Sequence, residues 1–277
     1  MPVAKLESRA LLRVSGEDAR PFLHNLLTQS VEDMAPGTLR FAALLTPQGR
    51  LLHDLFIHAE SQTSLLLDAA ADQRDALLQR LTMYRLRAKA SIERVDDLAT
   101  YVSLPSWGGT ASQSEAGCGA VDPRLKSLGQ RAYLPTSTPT DAAEADYHAH
   151  RLALGVPDPA LDRTANTYPI EQNLDRLNGI DFKKGCFIGQ ETTSRMHRRA
   201  QVKTRMLPLA FRGPPPAFGA EVLAGDLRAG EVLTGMDGRA MALLRLDRIE
   251  GAALTVDGRQ VLVRPPSWLR PLVGGSQ

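Results

Sequence analysis

Thiols are scarce in this chain. Two cysteines, Cys118 and Cys186, stand 68 residues apart in 277, which excludes a disulfide framework and fits a reducing compartment. Two are also too few for a self-contained zinc or iron–sulfur site, which takes about four ligands in spaced pairs. The six histidines show no His-Glu-x-x-His pattern, and His148 and His150 are two apart, so they do not share a helix face. A resident metal is therefore not expected. Charge of one sign is lacking too: a net +2 does not require nucleic acid or an anionic membrane as partner. No run of 18 apolar residues occurs, and the start Met-Pro-Val-Ala-Lys carries neither an apolar leader core nor an Arg/Ser-rich presequence. A soluble, cytoplasmic protein without membrane contact is the expectation. The 43% hydrophobic and 23% charged residues are those of an ordinary globular chain.

What is there falls into three textures. Arg9–Val14 reads as a strand, and a helix from Asp18 carries Phe22, Leu23, Leu26 and Leu27. Strands follow around Phe41–Leu45 and Leu51–His58, joined at Pro47-Gln48-Gly49. A third apolar run, Ser64–Leu67, meets Asp68, read as the start of a helix carrying Leu77, Leu78, Leu81 and Tyr84. Tyr84–Ile92 alternates strictly, which predicts a strand with Arg85, Arg87 and Lys89 on one open face. This order predicts an α+β module over 1–98. A second module, 99–204, holds a Gly/Ser/Thr-rich loop at 105–120, a strand near Arg131–Leu134 and a helix from Asp141 to Leu154. Beyond Gly213, short apolar pairs alternate with Gly-containing turns, and Val256-Asp257-Gly258-Arg259 is a hairpin signal. Residues 205–277 thus read as a small β-barrel.

The chemistry-bearing stretch is Lys183-Lys184-Gly185-Cys186-Phe187-Ile188-Gly189-Gln190-Glu191, ending at Arg195. It puts a thiol, amines, an amide, a carboxylate and a guanidinium between two flexible glycines, where a core strand would carry more apolar residues. A helix is expected after Gly189, with Glu191 in its first turn and Arg195 four residues on. Cys186 reads either as a small buried hydrophobe or as a thiol activated by Lys184 and the helix start; its polar company favours the second. Cys118, in a loop without base or cation, reads as incidental. Asp54 interrupts an apolar strand, either facing solvent or held in a pocket. Glu171 reads as a first-turn acid or as an acceptor for a heterocycle's N–H groups.

The run Lys184–Glu191 resembles the signature of the YgfZ family, folate-binding relatives of the glycine-cleavage T-protein (aminomethyltransferase) that support iron–sulfur cluster assembly or repair. Asp122-Pro123-Arg124, Tyr147, Arg151, Gly155-Val156-Pro157, Pro169–Asp175, Gly179–Lys183 and Leu44–Arg50 with Asp54 are also similar to that family, roughly from 40 to 205. The resemblance implies a T-protein-like fold around a central folate cavity with the barrel last. Tetrahydrofolate or a one-carbon derivative is the implied cofactor, bound by Asp54, Glu171, Gln190, Glu191 and Arg195. Cys186, Lys184 and Asp54 are the implied catalytic groups, and iron–sulfur apoenzymes or cluster carriers the implied partners. The family's bacterial and mitochondrial branches share the motif. Two departures from the T-protein stand out: His53-Asp54 replaces a pair of acids, and Arg151-Leu152-Ala153-Leu154-Gly155 lacks its pterin-binding glutamate. The rival reading is a folate-dependent methyl- or aminomethyltransferase acting on tRNA through Arg85/Arg87/Lys89 and Arg195–Arg199.

Overall fold

The computed structural model describes residues 2–104, 119–158, 160–164, 166–199, 202–236 and 238–269; Cys118 and the glycine-rich loop around it lie outside them. In chain order the elements are β1 (Val3–Lys5), β2 (Arg9–Ser15), α1 (Ala19–Leu26), β3 (Leu39–Leu45), β4 (Leu51–Ala59), β5 (Ser64–Ala70), α2 (Arg74–Arg85), β6 (Ser91–Val95) and β7 (Leu98–Ser103). Then come β8 (Ala120–Val121), β9 (Gln130–Pro135), α3 (Glu144–Ala153), α4 (Gln190–Arg199), β10 (Thr204–Ala210), β11 (Glu221–Ala224), β12 (Leu227–Met236), β13 (Arg239–Arg245), α5 (Leu246–Ile249), β14 (Leu254–Val256) and β15 (Arg259–Val263). Antiparallel pairing makes a five-stranded sheet, β3-β4-β5-β2-β6, and a four-stranded one, β1-β7-β9-β8. The last six strands close a barrel.

Alternation sorts the first sheet into two faces. Leu12, Val14, Leu55, Ile57, Leu65 and Leu67 point to one side, where α1 and α2 cover them with Leu23, Leu27, Leu77 and Leu81. Phe41, Ala43, Leu45 and Phe56 point to the other and pack against Ile170, Leu174 and Phe187. Across β3, β4 and β5 the sheet is buried on both faces and leaves almost no solvent side for polar residues, whereas β6 is largely exposed. The barrel encloses its own core, including Leu207, Val232, Ala242 and Val261. Its hairpin β14–β15 turns at Asp257 and Gly258, with φ of 48° and 72°, as the Asp-Gly pair requires.

Two readings of the sequence need correction. Asp68 does not open a helix: it is the fifth residue of β5, fully buried, and accepts from Arg9 Nε at 2.6 Å and Arg131 Nη1 at 2.7 Å. The helix starts at Arg74, after a single 3-10 turn. Nor does Tyr84–Ile92 form one strand. α2 runs to Arg85, Leu86 turns the chain with φ 46°, and β6 begins only at Ser91. The alternation there belongs to a turn, so the three cations do not share a face: Arg85 donates to the Ala90 carbonyl and Lys89 pairs with Glu17.

Asp68 bonds its own sheet to the second one through Arg131 of β9, and holds Arg9 of β2 within its own sheet. Asp68→Ala would leave both cations unpaired, with an expected loss of about 3–5 kcal/mol, measurable by urea denaturation.

Candidate functional site

The Cys186 loop is held at both ends and open in the middle. Upstream, the Asp181 carboxylate accepts the Lys183 and Lys184 backbone N–H groups, at 2.8 and 3.2 Å. The Lys184 ammonium then donates to the carbonyls of His24, Leu27 (2.7 Å) and Gln29 (3.2 Å). Its three protons thus cap the end of α1, as cations commonly do; burial lowers its pKa to about 8, against the attraction of Asp181 and Glu32. Downstream, Phe187 enters the core beside Phe41 and Phe56, and Ile188 packs against the α1 side of the first sheet. Between the anchors Cys186 is free and exposed.

Two glycines seat the loop on the β3–β4 turn. Gly189 has φ +78°, and a Cβ there would meet the Thr46 carbonyl at 2.6 Å and Gly49 Cα at 2.8 Å. Gly49, at φ +81°, would in turn meet Thr192 Cβ at 2.9 Å. Only glycine allows both the left-handed backbone and this approach. Thr28 adds a buried clamp from the other side: its hydroxyl donates to the Gly179 carbonyl at 2.6 Å and accepts from Ala43 N–H at 2.8 Å. In α4, Glu191 and Arg195 face solvent, 92% and 52% exposed, with 3.7 Å between them, while Thr193 is buried and returns its hydroxyl to the Gly189 carbonyl. Gln190 begins α4, its N–H donating to the Phe187 carbonyl. Phe182 stacks on His197 at 3.8 Å.

Asp54 belongs to a different place. It is 6% exposed on β4, and its Oδ2 has no hydrogen-bond partner; neither has Nδ1 of neighbouring His53. Burial raises the Asp54 pKa to about 6, with Arg9 opposing and Asp158 assisting. Burial likewise lowers that of His53 to about 4, helped by Arg80 and Arg163. Both border a cleft whose wall includes Ala69, Gln73, Arg163, Thr167 and Gln172, and which takes no residue from the Cys186 loop. Glu171 is half-buried, and its carboxylate caps its own turn by accepting the Tyr168 N–H at 2.8 Å; burial raises its pKa.

The one site expected from the sequence therefore separates into an acidic cleft and a thiol-bearing crest. Gln190, Glu191 and Arg195 stand with the crest, not beside Asp54. Sequence reasoning missed Thr28, Asp181, Arg163 and Gln172; only Asp181, two residues before Lys183, carries a local signal, that of an aspartate turn. For a pterin the fit is poor. Asp54 and His53 offer unpaired polar atoms, yet the enclosed space is about 10 Å3, room for roughly one water. A ring would enter only if the wall of Arg163 and Gln172 moved, and no step below runs through folate.

The fold class is that of the glycine-cleavage aminomethyltransferases. The chain is similar in structure to glycine cleavage system aminomethyltransferase T from Bartonella henselae, with a TM-score of 0.74 over 96% of this chain and 84% of that one, at 17% identity. Residues 203–271 match the family described as CAF17, C-terminal beta-barrel domain. Within that class, the chain is 33% identical to the human mitochondrial iron-sulfur cluster assembly factor IBA57, over 95% of this chain and 84% of the relative. For the mouse protein the figures are 32%, 89% and 78%, and for the Neurospora crassa homologue 31%, 97% and 67%. The chain belongs to the IBA57 family of iron–sulfur cluster assembly factors. These relatives are mitochondrial proteins, and they overturn the expectation of a cytoplasmic one.

Two predictions test the site. Gly189→Ala should unseat the loop and cost about 2 kcal/mol or more, the range of a strained special backbone position. Gly185→Ala, with nothing within 4 Å of its new Cβ, should stay within about 0.5 kcal/mol of wild type. Thermal denaturation of the pair separates them. For Asp54, the folded pKa of about 6 lies above the ordinary aspartate value of 3.8, so the native state holds the proton more tightly. Its contribution is complete below pH 4 and is lost as pH rises through about 6, a swing of roughly 3 kcal/mol. The difference in unfolding free energy between wild type and Asp54→Asn, followed from pH 4 to 7, should show it; a flat difference would place Asp54 in water.

Proposed function

We propose that this protein assists the assembly or repair of iron–sulfur clusters in client proteins, with Cys186 as the group that meets the cargo. The observation that carries the reading is an exposed thiol on a crest pinned by Lys184, Phe187, Ile188 and the Gly49–Gly189 contact. Family membership supports it: the relatives named above are iron-sulfur cluster assembly factors. A thiolate makes one bond to iron or to a transferable sulfur, whereas a cluster takes about four ligands. The remaining ligands come from a cluster-carrier or apoenzyme pressed against the crest. Cys186 would lose its proton and replace a labile ligand of the cluster, and the partner would regain that position on transfer.

Tetrahydrofolate is the small ligand the fold implies. Its place would be beside Asp54, behind the wall that has to open, and it is an aid to the reading and not its support. The same holds for folate-dependent transfer to tRNA, since Arg85, Arg87 and Lys89 do not share a face.

In cells lacking the native gene, Cys186→Ser should abolish support of cluster-dependent enzymes while the variant stays folded. Full support by Cys186→Ser would sink the reading. Anaerobic titration with tetrahydrofolate of wild type, Asp54→Ala and Cys186→Ala then decides the cofactor: saturable binding that needs Asp54 but not Cys186 assigns the cleft to folate.

A further inference from the structure

A cavity of about 200 Å3 lies where α4 ends and the barrel begins. It shares no residue with the Asp54 cleft, whose enclosed space is about 10 Å3. By size it suits a small molecule, since an engineered apolar cavity of about 150 Å3 holds benzene. Its frame is fixed by hydrogen bonds between the loop after Pro169 and the barrel. Met206 N–H donates to the Glu171 carbonyl, Asn173 Nδ2 to the Met206 carbonyl and Leu246 N–H to the Lys203 carbonyl, each at 2.8 Å.

Arg205, in the cavity wall and 3% exposed, is the reason to expect an anion. Its Nη1 donates to the Ile170 carbonyl at 2.9 Å, Asn173 Oδ1 at 3.0 Å and Asp175 Oδ1 at 2.9 Å, and its Nη2 to Asp175 Oδ2 at 2.9 Å. Its Nε is buried as well, and has no partner among the described residues. A guanidinium donor left in that state is rare and costly. Arg176, also in the wall and 40% exposed, has its Nε 3.8 Å from the same Asp175 carboxylate. Two guanidinium groups therefore share one carboxylate. Glu171 does not line the cavity, and its carboxylate accepts the Tyr168 N–H instead. One positive charge is in excess, beside an unsatisfied donor. The remaining wall is apolar, from Ile170, Val202 and Leu246, with His197 at the edge stacked on Phe182.

We propose that this cavity binds a small organic monocarboxylate with a compact apolar body. The carboxylate accepts from Arg205 Nε and pairs with Arg176, and the body fills the space between Ile170, Val202 and Leu246. Charge-assisted bonds of this kind are the strong ones. A phosphate fits less well, because its second charge would face Asp175 and its oxygens would meet three apolar side chains. The site involves neither Cys186 nor Asp54 and does not rest on the functional reading above.

Benzoate is the probe, titrated into the full chain by calorimetry. Saturable binding with a Kd of about 1 mM is expected for a ligand of this size. At about ten times that concentration the melting temperature should rise by roughly 2–3 °C. Arg176→Gln should raise the Kd roughly fivefold to tenfold, the loss of one charged partner. Val202→Phe fills the cavity, so it should abolish binding while the melting temperature holds or rises. Benzyl alcohol, the same ring without the charge, should bind at least about tenfold more weakly. No saturable binding of benzoate up to about 50 mM overturns the proposal. Wild-type affinity in a folded Val202→Phe does so too, because the ligand then lies elsewhere. Equal binding of benzyl alcohol, an unchanged Kd in Arg176→Gln or tighter binding of inorganic phosphate overturns the choice of a monocarboxylate. Loss of benzoate binding in a folded Asp54→Ala would merge the cavity with the cleft and overturn it as a separate site.

Discussion

Asp68 is the residue on which the arrangement of the two sheets rests. It lies on β5 with no exposure, bonded to Arg9 of β2 and to Arg131 of β9. A carboxylate cannot be left alone in such a place, nor can either arginine. Each partner therefore fixes where the others stand, and the fixed point is the join between the first sheet and the second. Phe56 lies in the same join, with the Arg131 guanidinium 3.9 Å and that of Arg124 4.8 Å from its ring centre. Arg124 extends the network to Asp122 and to the Tyr147 hydroxyl on α3.

This buried network also explains the cleft. Arg9 and Arg131 pair with Asp68, Arg124 with Asp122 and Arg151 with Asp162, while Asp54 makes no salt bridge among the described residues. Arg9 and Arg124 draw it towards ionisation, yet burial and Asp158 outweigh them. A buried acid without an ion-pair partner keeps a proton as pH approaches neutrality from below. The same constraint that joins the sheets leaves one carboxyl of altered acidity beside a small cleft.

Much of this was legible in the sequence where a local rule governs. The alternation of β2 and the apolar stripe of α1 are periodicities, and the turn at Asp257-Gly258 is a steric requirement of two residues. The barrel's hairpins announced themselves in the same way. What could not be read is what two distant segments decide together. Asp68 sits after an apolar run, where an N-cap is a sound local reading; that it is a strand residue follows only from Arg9 and Arg131, 59 and 63 positions away. Tyr84–Ile92 alternates as a strand does, but Gly16 and Asp18 hold it as a turn. Lys184 read as the neighbour that activates Cys186, because two positions of sequence suggested proximity; its hydrogen bonds go instead to carbonyls some 160 residues earlier.

The separation of crest and cleft bears on the kind of chemistry the fold can do. An enclosed acid acts on a small molecule that enters, and such sites are concave with most of the ligand surface buried. A thiol on an exposed crest is reached by another macromolecule's surface, and it is useful only if its position does not wander as that surface arrives. The loop around Cys186 is held by the ammonium capping α1, by two side chains in two different cores, and by two glycines in backbone contact. None of these contacts encloses the sulfur. The enclosed acid, Asp54, thus stands apart from the loop that carries Cys186, and that loop leaves its sulfur exposed.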